Sequence, residues 1–243
     1  MIHAFNFCGS RDRDLRDLME MTLKRYAGKM LSSFQSFDMD AAGYGNGAGW
    51  EAAMMKIDTL REIVNKKKVQ DQEWILSVDS DVVFCSDELF KYIRAISSHE
   101  LYRPAIVGIH QGGELAKCKM GELHNFSGCL ILLRGNVAKY IAALSVDELN
   151  QVRGEFKEYV ITENEDVVIS YLAQMASPEN HCPLPEYIYH SDHGFEWDLI
   201  NGDRKPMYHL NYDSSWFNGE FLGNPISGKW DIPKILRKEK IYL

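Results

Sequence analysis

The chain has 243 residues, of which 45% are hydrophobic and 26% charged, and its 27 basic and 35 acidic side chains leave a formal net charge of −8. These proportions are typical of a soluble globular protein, and the length suits one α/β domain of about 200–250 residues. The negative charge, without any stripe of lysine and arginine, excludes a surface for duplex nucleic acid.

Membrane-spanning and secretory segments are not expected. The longest aliphatic run, 129–133, is far shorter than the roughly 20 residues that cross a bilayer. The N-terminus lacks the basic start, apolar stretch and cleavage site of a secretory signal. The cysteines include no Cys-x-x-Cys pair, which favours buried free thiols over disulfides or structural zinc. We therefore expect a cytoplasmic protein.

Short apolar runs alternate with amphipathic ones through the first two thirds of the chain, which predicts strand-helix-strand units. Strands are predicted at 2–8, 30–37 and 74–78. Helices follow the first two strands, with apolar faces from Leu15 to Tyr26 and from Trp50 to Val64. The glycine-rich stretch 43–49 predicts a loop, and Ser86 is expected to cap the next helix.

The second half of the chain is less regular. Strands are predicted at 105–109 and 126–133, with Asn136 as the cap of the following helix. Thr162 and Glu165 have the spacing of a capping box, which predicts another helix start. Beyond Pro178 only a short strand at 207–210 is predicted. The tail is therefore expected to wrap over the sheet as an extension of the same domain.

The sequence Asp79-Ser80-Asp81 directly follows the apolar strand 74–78. In an open α/β sheet, ligands bind beyond the carboxyl ends of the strands. Two carboxylates separated by one residue can hold a divalent cation, which would bridge the oxygens of a diphosphate. The alternative is a surface turn, but the flanking Val78 and Val82 argue against an idle, highly charged turn there.

Two other metal-using interpretations of this motif were weighed. An EF-hand loop is excluded, because Val83 and Phe84 occupy the positions that need an oxygen ligand and a glycine. A haloacid dehalogenase-like phosphatase also places Asp-x-Asp after an apolar strand. Its motif normally ends in threonine near the start of the chain, whereas Val82 follows here and 78 residues precede the motif. The phosphatase stays as an alternative.

The segment 74–84, Trp-Ile-Leu-Ser-Val-Asp-Ser-Asp-Val-Val-Phe, resembles the Asp-x-Asp segment of GT-A fold glycosyltransferases. Further features match in the same order: the helix 50–60 with Lys56, the strand entry 125–128, the acidic helix start 163–166, and His209 after a short strand. Each motif is short, and their order and spacing carry the resemblance. Two related groups match less well: the Lys-Pro-Trp ending of the glycogenin-like families is replaced by 213–216, and the glycine-rich signature of the pyrophosphorylases is missing around 5–25.

The resemblance implies an α/β fold: a single Rossmann-like domain over 1–243, with a mostly parallel mixed central sheet flanked by helices and an irregular C-terminal extension. Residues 1–110 would form the nucleotide-sugar-binding half. Residues 111–243 would form the acceptor-side half and the extension. The implied activity is metal-dependent transfer of a hexose from a nucleotide diphosphate sugar, preferably a UDP-sugar, to a glycan or glycoconjugate hydroxyl. The stereochemical outcome stays open, and a nucleotide-sugar-binding module without turnover is the non-catalytic alternative.

The same resemblance implies a set of site residues. Mn2+ or Mg2+ would be held by Asp79, Asp81 and His209, a mixed carboxylate and imidazole set that suits manganese better than calcium. The donor would meet Phe5, Asn6, Phe7, Gly9, Asp38, Lys56, Asp79, Ser80 and Asp81. The acceptor side would comprise His124, Asn125, Gly128 and Glu165, with Asp166 as the catalytic carboxylate.

Several of these residues also have plain structural explanations. The phenylalanines could be core residues, and Lys56 could be solvated on the polar face of its helix. Glu165 is explained by the capping box, whereas Asp166 is not, and the helix dipole is expected to keep Asp166 ionised. The basic end of the chain predicts either weak contact with an anionic membrane or a solvated tail; its residues are Lys229, Lys234, Arg237, Lys238 and Lys240.

Overall fold

A computed structural model of the chain describes residues 1–39, 49–99, 104–110, 117–178, 181–191, 194–210 and 219–243. Most of the predicted glycine-rich loop, and the segment 213–216, lie outside these ranges. The strands are β1 (Ile2–Cys8), β2 (Leu31–Asp38), β3 (Trp74–Val78), β4 (Val82–Phe84), β5 (Ile106–His110), β6 (Lys117–Cys118), β7 (Gly121–Glu122), β8 (Phe126–Arg134), β9 (His181–Pro183), β10 (Tyr189–Ser191), β11 (Met207–His209), β12 (Glu220–Phe221) and β13 (Asn224–Pro225).

The central sheet has six strands in the order β2-β1-β3-β8-β5-β9. Strand β8 is antiparallel to both of its neighbours, β3 and β5, and the other pairs are parallel. Five strands therefore share one direction. This confirms the predicted α/β fold with a mostly parallel mixed sheet, whereas the division of the chain into two functional halves stays a prediction.

Helices cover both faces of this sheet. They are α1 (Arg13–Ala27), α2 (Trp50–Lys67), α3 (Glu88–Ser98), α4 (Gly135–Ala143), α5 (Val146–Glu158), α6 (Glu165–Ala176), α7 (Phe195–Asn201) and α8 (Ile232–Lys238). Successive side chains of a strand point to opposite faces. In β8, Ile131 and Leu133 accordingly join the core under α2, α4, α5 and α6, whereas Leu130 and Leu132 join the core under α1 and α3.

A second sheet of three short strands, β10-β11-β4, extends from the edge where β3 ends. Strand β4 pairs antiparallel with β11, which places Val82 opposite His209. The sequence analysis predicted β11 but not β4, which is only three residues long. This pairing brings two chain segments that are remote in sequence to the same corner of the fold.

Two helices begin close to where the sequence predicts, but the predicted capping residues are wrong. Asn136 lies inside α4, whose N-cap is Arg134. Helix α6 has Asn164 as its N-cap and no side-chain cap, so Thr162 and Glu165 form no capping box. The Glu165 carboxylate turns toward Lys56 instead. The prediction at Ser86 holds in part, because its Oγ accepts the Glu88 N–H at 3.3 Å although the N-cap of α3 is Asp87.

The sequence analysis also missed three helices. Helix α5 begins with a complete capping box between Ser145 and Glu148. Helices α7 and α8 lie in the predicted irregular extension, where α8 packs near α1 in a third core cluster. All five cysteines are free, as expected. Within the described ranges, no helix combines the length and apolarity needed to cross a bilayer.

Val160, just after α5, predicts a stabilising substitution. It has φ of 54° and is 90% exposed. The left-handed conformation costs about 1–2 kcal/mol for a residue with a Cβ. Val160→Gly should therefore raise the free energy of unfolding by roughly 1 kcal/mol, or the Tm by roughly 2–4 °C. Val146→Gly, at the exposed first residue of α5, should lower the free energy of unfolding. Thermal unfolding checks both, and an unchanged or lower Tm for Val160→Gly would contradict this account of the turn.

Candidate active site

The Asp79-Ser80-Asp81 turn joins β3 to β4 at the carboxyl edge of the central sheet. Both ends of the turn are fixed by backbone hydrogen bonds. The Asp79 N–H donates to Cys129 O at 2.9 Å, and Asp81 O accepts the Leu210 N–H at 2.9 Å. The turn is thus held by β8 on one side and by the residue after β11 on the other.

Asp79, Asp81 and His209 form the candidate metal centre. One ligand atom from each lies within 4.8 Å of the others. His209 Nε2 lies 3.3 Å from Asp81 Oδ1, an oxygen that is buried and has no hydrogen bond of good geometry from any described residue. A buried carboxylate oxygen in that state is suited to a cation. The three residues therefore fit the divalent metal that the resemblance implied.

Burial and neighbouring charges shift the pKa values of the two aspartates in opposite directions. Burial raises the pKa of Asp79 to about 6, against the opposing charge of Lys56. Burial also acts to raise the pKa of Asp81, but the adjacent His209 ring and the Lys229 ammonium outweigh it and lower that pKa to about 2. Burial acts to lower the pKa of His209, and the two aspartates raise it overall. Asp81 is therefore anionic at neutral pH, with the Lys229 ammonium at its Oδ2.

Lys229 is a site residue that the sequence analysis missed. Its Nζ lies 2.8 Å from Asp81 Oδ2, and its side chain is 16% exposed. Lys229 begins a 3-10 turn that is anchored to the loop after β1. There Trp230 Nε1 donates to Asp12 Oδ1 at 2.8 Å, and the Arg11 guanidinium lies 3.3 Å from the centre of the Trp230 ring. The sequence predicted Lys229 only as part of a basic tail, because the contact joins residues 148 positions apart.

Lys56 is buried, at 6% exposure, so the alternative of a solvated lysine is wrong. Its Nζ lies 3.5 Å from Glu165 Oε1 and 3.5 Å from Gly128 O. A buried ammonium needs compensating charge or hydrogen bonds, and this neighbourhood supplies both. Its charge also acts on Asp79, where it opposes the rise in pKa. Lys56 therefore lies within electrostatic reach of both Asp79 and Glu165.

Gly128, Glu165 and Asp166 meet where β8 begins and α6 begins. A Cβ on Gly128 would lie 2.8 Å from Glu165 Oε1, so the Glu165 carboxylate would have to move, and 3.4 Å from Asp166 Cβ, an ordinary contact. Burial raises the pKa of Asp166, Glu165 adds to the rise, and backbone hydrogen bonds from Val167 and Gly128 oppose it. Burial here acts against the helix dipole, which favours the ionised form. A carboxylate with a raised pKa is better suited to accept a proton.

The predicted donor residues of β1 and β2 divide into two groups. Phe5 is 1% exposed and packs edge to face with Phe7 and Phe37, so core packing accounts for it. Phe7, Phe37 and Asp38 line a cavity of about 240 Å³ beside α2, and Gly9 is half-buried in the adjoining loop. A larger cavity of about 740 Å³ lies against α4 and α5, and none of the predicted site residues lines it.

His124 and Asn125 precede β8 and are half-buried. The His124 ring stacks on that of His181 at 5.1 Å and lies 6.2 Å from that of His110. Its backbone N–H donates to Gln174 Oε1, which ties this segment to the later part of α6. The structure thus places His124 in a histidine cluster, and the acceptor roles of His124 and Asn125 stay predictions.

Comparisons with known proteins identify the fold. No protein-family model matches the chain, and no curated protein matches it significantly. Among solved structures, the galactosyltransferase LgtC in complex with donor and acceptor sugar analogs is 9% identical, with a TM-score of 0.53 over 100% of this chain and 97% of LgtC. A glycosyltransferase involved in glycosylation of the major capsid of PBCV-1 is 12% identical, with a TM-score of 0.53 over 86% of this chain and 93% of that one. The glycosyltransferase GlyE of Streptococcus pneumoniae TIGR4 is 10% identical, with a TM-score of 0.53 over 100% of this chain and 62% of GlyE. Similarity at these identities establishes the GT-A fold, as the resemblance implied.

Proposed function

We propose that the protein is a metal-dependent glycosyltransferase that transfers a hexose from a nucleotide diphosphate sugar, with a UDP-sugar as the preferred donor, to a hydroxyl of a glycan or glycoconjugate. One observation carries the proposal: Asp79, Asp81 and His209 converge at the carboxyl edge of a GT-A sheet, with the Lys229 ammonium beside them. That combination is suited to holding a diphosphate.

Cleavage of the donor needs stabilisation of the negative charge that develops on the departing diphosphate. Mn2+ or Mg2+ held by Asp79, Asp81 and His209 supplies positive charge at that point. Lys229 adds a second positive charge at the other carboxylate oxygen of Asp81, Oδ2. Lys56 contributes a buried one on the side of Glu165. The cavity lined by Phe7 and Asp38 is our candidate for the nucleotide base.

Asp166 serves the acceptor. In an inverting reaction its carboxylate takes the proton of the attacking hydroxyl, and in a retaining reaction it orients that hydroxyl beside the sugar. The raised pKa of Asp166 supports the first role, and its place next to Gly128 supports both. Glu165 is held by Lys56 and shapes the acceptor side from there.

Two alternatives lead to different observations. A haloacid dehalogenase-like phosphatase would release inorganic phosphate, and the GT-A fold argues against it. A binding module would retain the nucleotide sugar without turning it over.

The five free cysteines favour a reducing compartment, and we propose the cytoplasm.

A thermal-shift panel of nucleotide sugars, with and without Mn2+, tests the donor class. We expect Mn2+-dependent stabilisation by uridine diphosphate sugars and none by inorganic phosphate or simple phosphate esters. A ligand at 100 times its Kd stabilises by about 2.7 kcal/mol, which is readily measured. Stabilisation by phosphate esters alone would favour the phosphatase.

Lys229→Met should have opposite effects on two ligands. Removing the ammonium frees Asp81 Oδ2, so Mn2+ alone should bind several-fold more tightly. Uridine diphosphate should bind about 10-fold more weakly, since a hydrogen bond to a charged group contributes about 1.5–3 kcal/mol. Calorimetric titration with each ligand measures both. Lys234→Met removes an exposed lysine of α8 and should change neither. Weaker Mn2+ binding by Lys229→Met would mean that Lys229 does not compete at Asp81.

A further inference from the structure

Ser80, the residue between the two aspartates, is held by the end of β1. Its side chain is buried, its Oγ donates to Phe7 O at 3.1 Å, and the same Oγ accepts from Asn6 Nδ2 at 2.9 Å. Asn6 is itself 1% exposed. Two hydrogen bonds therefore connect the end of β1 to the middle of the Asp-x-Asp turn.

This connection bears on the position of both carboxylates. Backbone hydrogen bonds fix the two ends of the turn, at Asp79 N–H and Asp81 O. The residue between them is fixed through its side chain, by Asn6 and by the Phe7 carbonyl. A change in the backbone conformation at Ser80 would move the Asp79 and Asp81 carboxylates relative to each other. The hydrogen bond from Asn6 to Ser80 opposes that change.

The hydrogen bonding of Asn6 indicates that this residue does more than stabilise the fold. Its amide oxygen Oδ1 is buried and accepts no hydrogen bond from any residue that the structure describes. Burying a polar group with half of its hydrogen-bonding capacity unused lowers stability, and such groups concentrate at functional sites. The short hydrogen bond of its amide is the one that orients Ser80.

We infer that Asn6 and Ser80 are positioning residues of the metal site, which set the arrangement of Asp79 and Asp81 without binding the cation themselves. The inference rests on the metal site of the proposed function. In this inference Asn6 acts on the metal ligands indirectly, through Ser80. The resemblance instead implied that Asn6 contacts the nucleotide directly. Groups that orient metal ligands typically change metal affinity by 10- to 100-fold when they are removed.

Titration of the whole protein with Mn2+ alone, followed by calorimetry and by the Mn2+ electron paramagnetic resonance spectrum, tests the inference. Asn6→Ala and Ser80→Ala should each weaken Mn2+ binding by about 10-fold or more. The double variant should be no weaker than the weaker single variant, because both act through one connection. Ser80→Thr retains the hydroxyl and should restore the affinity. Ser77→Ala, a half-buried serine of β3, should leave it unchanged.

The outcomes separate cleanly. If Asn6→Ala and Ser80→Ala lower the Tm but bind Mn2+ within twofold of the original protein, the inference is wrong and the residues are merely structural. If Asn6→Ala binds uridine diphosphate more weakly in the presence of chelator but keeps its Mn2+ affinity, the inference is also wrong. Asn6 would then contact the nucleotide directly. Should Asn6→Ala fail to fold, Ser80→Ala and Ser80→Thr decide. Failure of the original protein to bind Mn2+ would overturn the proposed metal site and this inference together.

Discussion

Asp81→Asn should abolish Mn2+ binding and, with it, metal-dependent binding of a uridine diphosphate sugar. The variant removes the negative charge that lies between His209 and Lys229. A metal ligand matters more than a group that only orients one, so we expect a loss of Mn2+ affinity of roughly 10²-fold or more. Asp79→Asn should behave in the same way. Calorimetric titration with Mn2+ measures the effect.

The control for the aspartate variants is Asp71→Asn, which removes an exposed carboxylate paired with Lys139 and should leave Mn2+ affinity unchanged. Circular dichroism checks that each variant is folded, because Asp81→Asn leaves the half-buried Lys229 ammonium without its anionic partner. A folded Asp81→Asn protein that still binds Mn2+ normally would remove the metal assignment.

Asp166→Asn should retain its affinity for the nucleotide-sugar donor and lose most of its transferase activity. The carboxylate lies at the start of α6 beside Gly128, where we propose that the acceptor binds. General base catalysis contributes about 10²–10⁴-fold, so we expect kcat to fall by at least roughly 10²-fold while the affinity for the donor changes little. Turnover and donor titration, measured on the same protein, check this.

Asp147→Asn is the matched control for Asp166→Asn, because Asp147 is also a first-turn carboxylate but is exposed at the start of α5. It should retain full activity. Glu165→Gln cannot serve as that control, since the Glu165 carboxylate is paired with Lys56 and not with a helix cap. An active Asp166→Asn protein, or one that has lost its donor, would show that the acceptor side lies elsewhere.

Strong local patterns made five of the six central strands and the Asp-x-Asp turn predictable, whereas the three-residue edge strand β9 was missed. Strand β3 is short, apolar and followed at once by charged residues, so both its existence and its functional end could be read from the sequence. His209 could be assigned only through the order of motifs in the resemblance. The structure supplies the reason that it reaches Asp81: the unpredicted strand β4 pairs with β11.

The features that were missed depend on packing between distant segments. Lys229 reaches Asp81 because Trp230 is anchored to the loop after β1, and no local pattern reports such a contact. Lys56 lies off the apolar stripe of α2, yet it is buried because α2 also packs against α6. Helix α5 was different: its capping box, Ser145 to Glu148, is a local signal that was overlooked.

Release of nucleoside diphosphate from a nucleotide sugar is the most direct test of the central claim. The protein would be incubated with a panel of uridine diphosphate hexoses and candidate glycan acceptors, with Mn2+ or with chelator, and with Asp81→Asn as the inactive reference. The account predicts Mn2+-dependent release of uridine diphosphate that increases with an acceptor and is absent in Asp81→Asn. Release of inorganic phosphate instead, or tight Mn2+-dependent binding of the donor with no release under any acceptor, would contradict it.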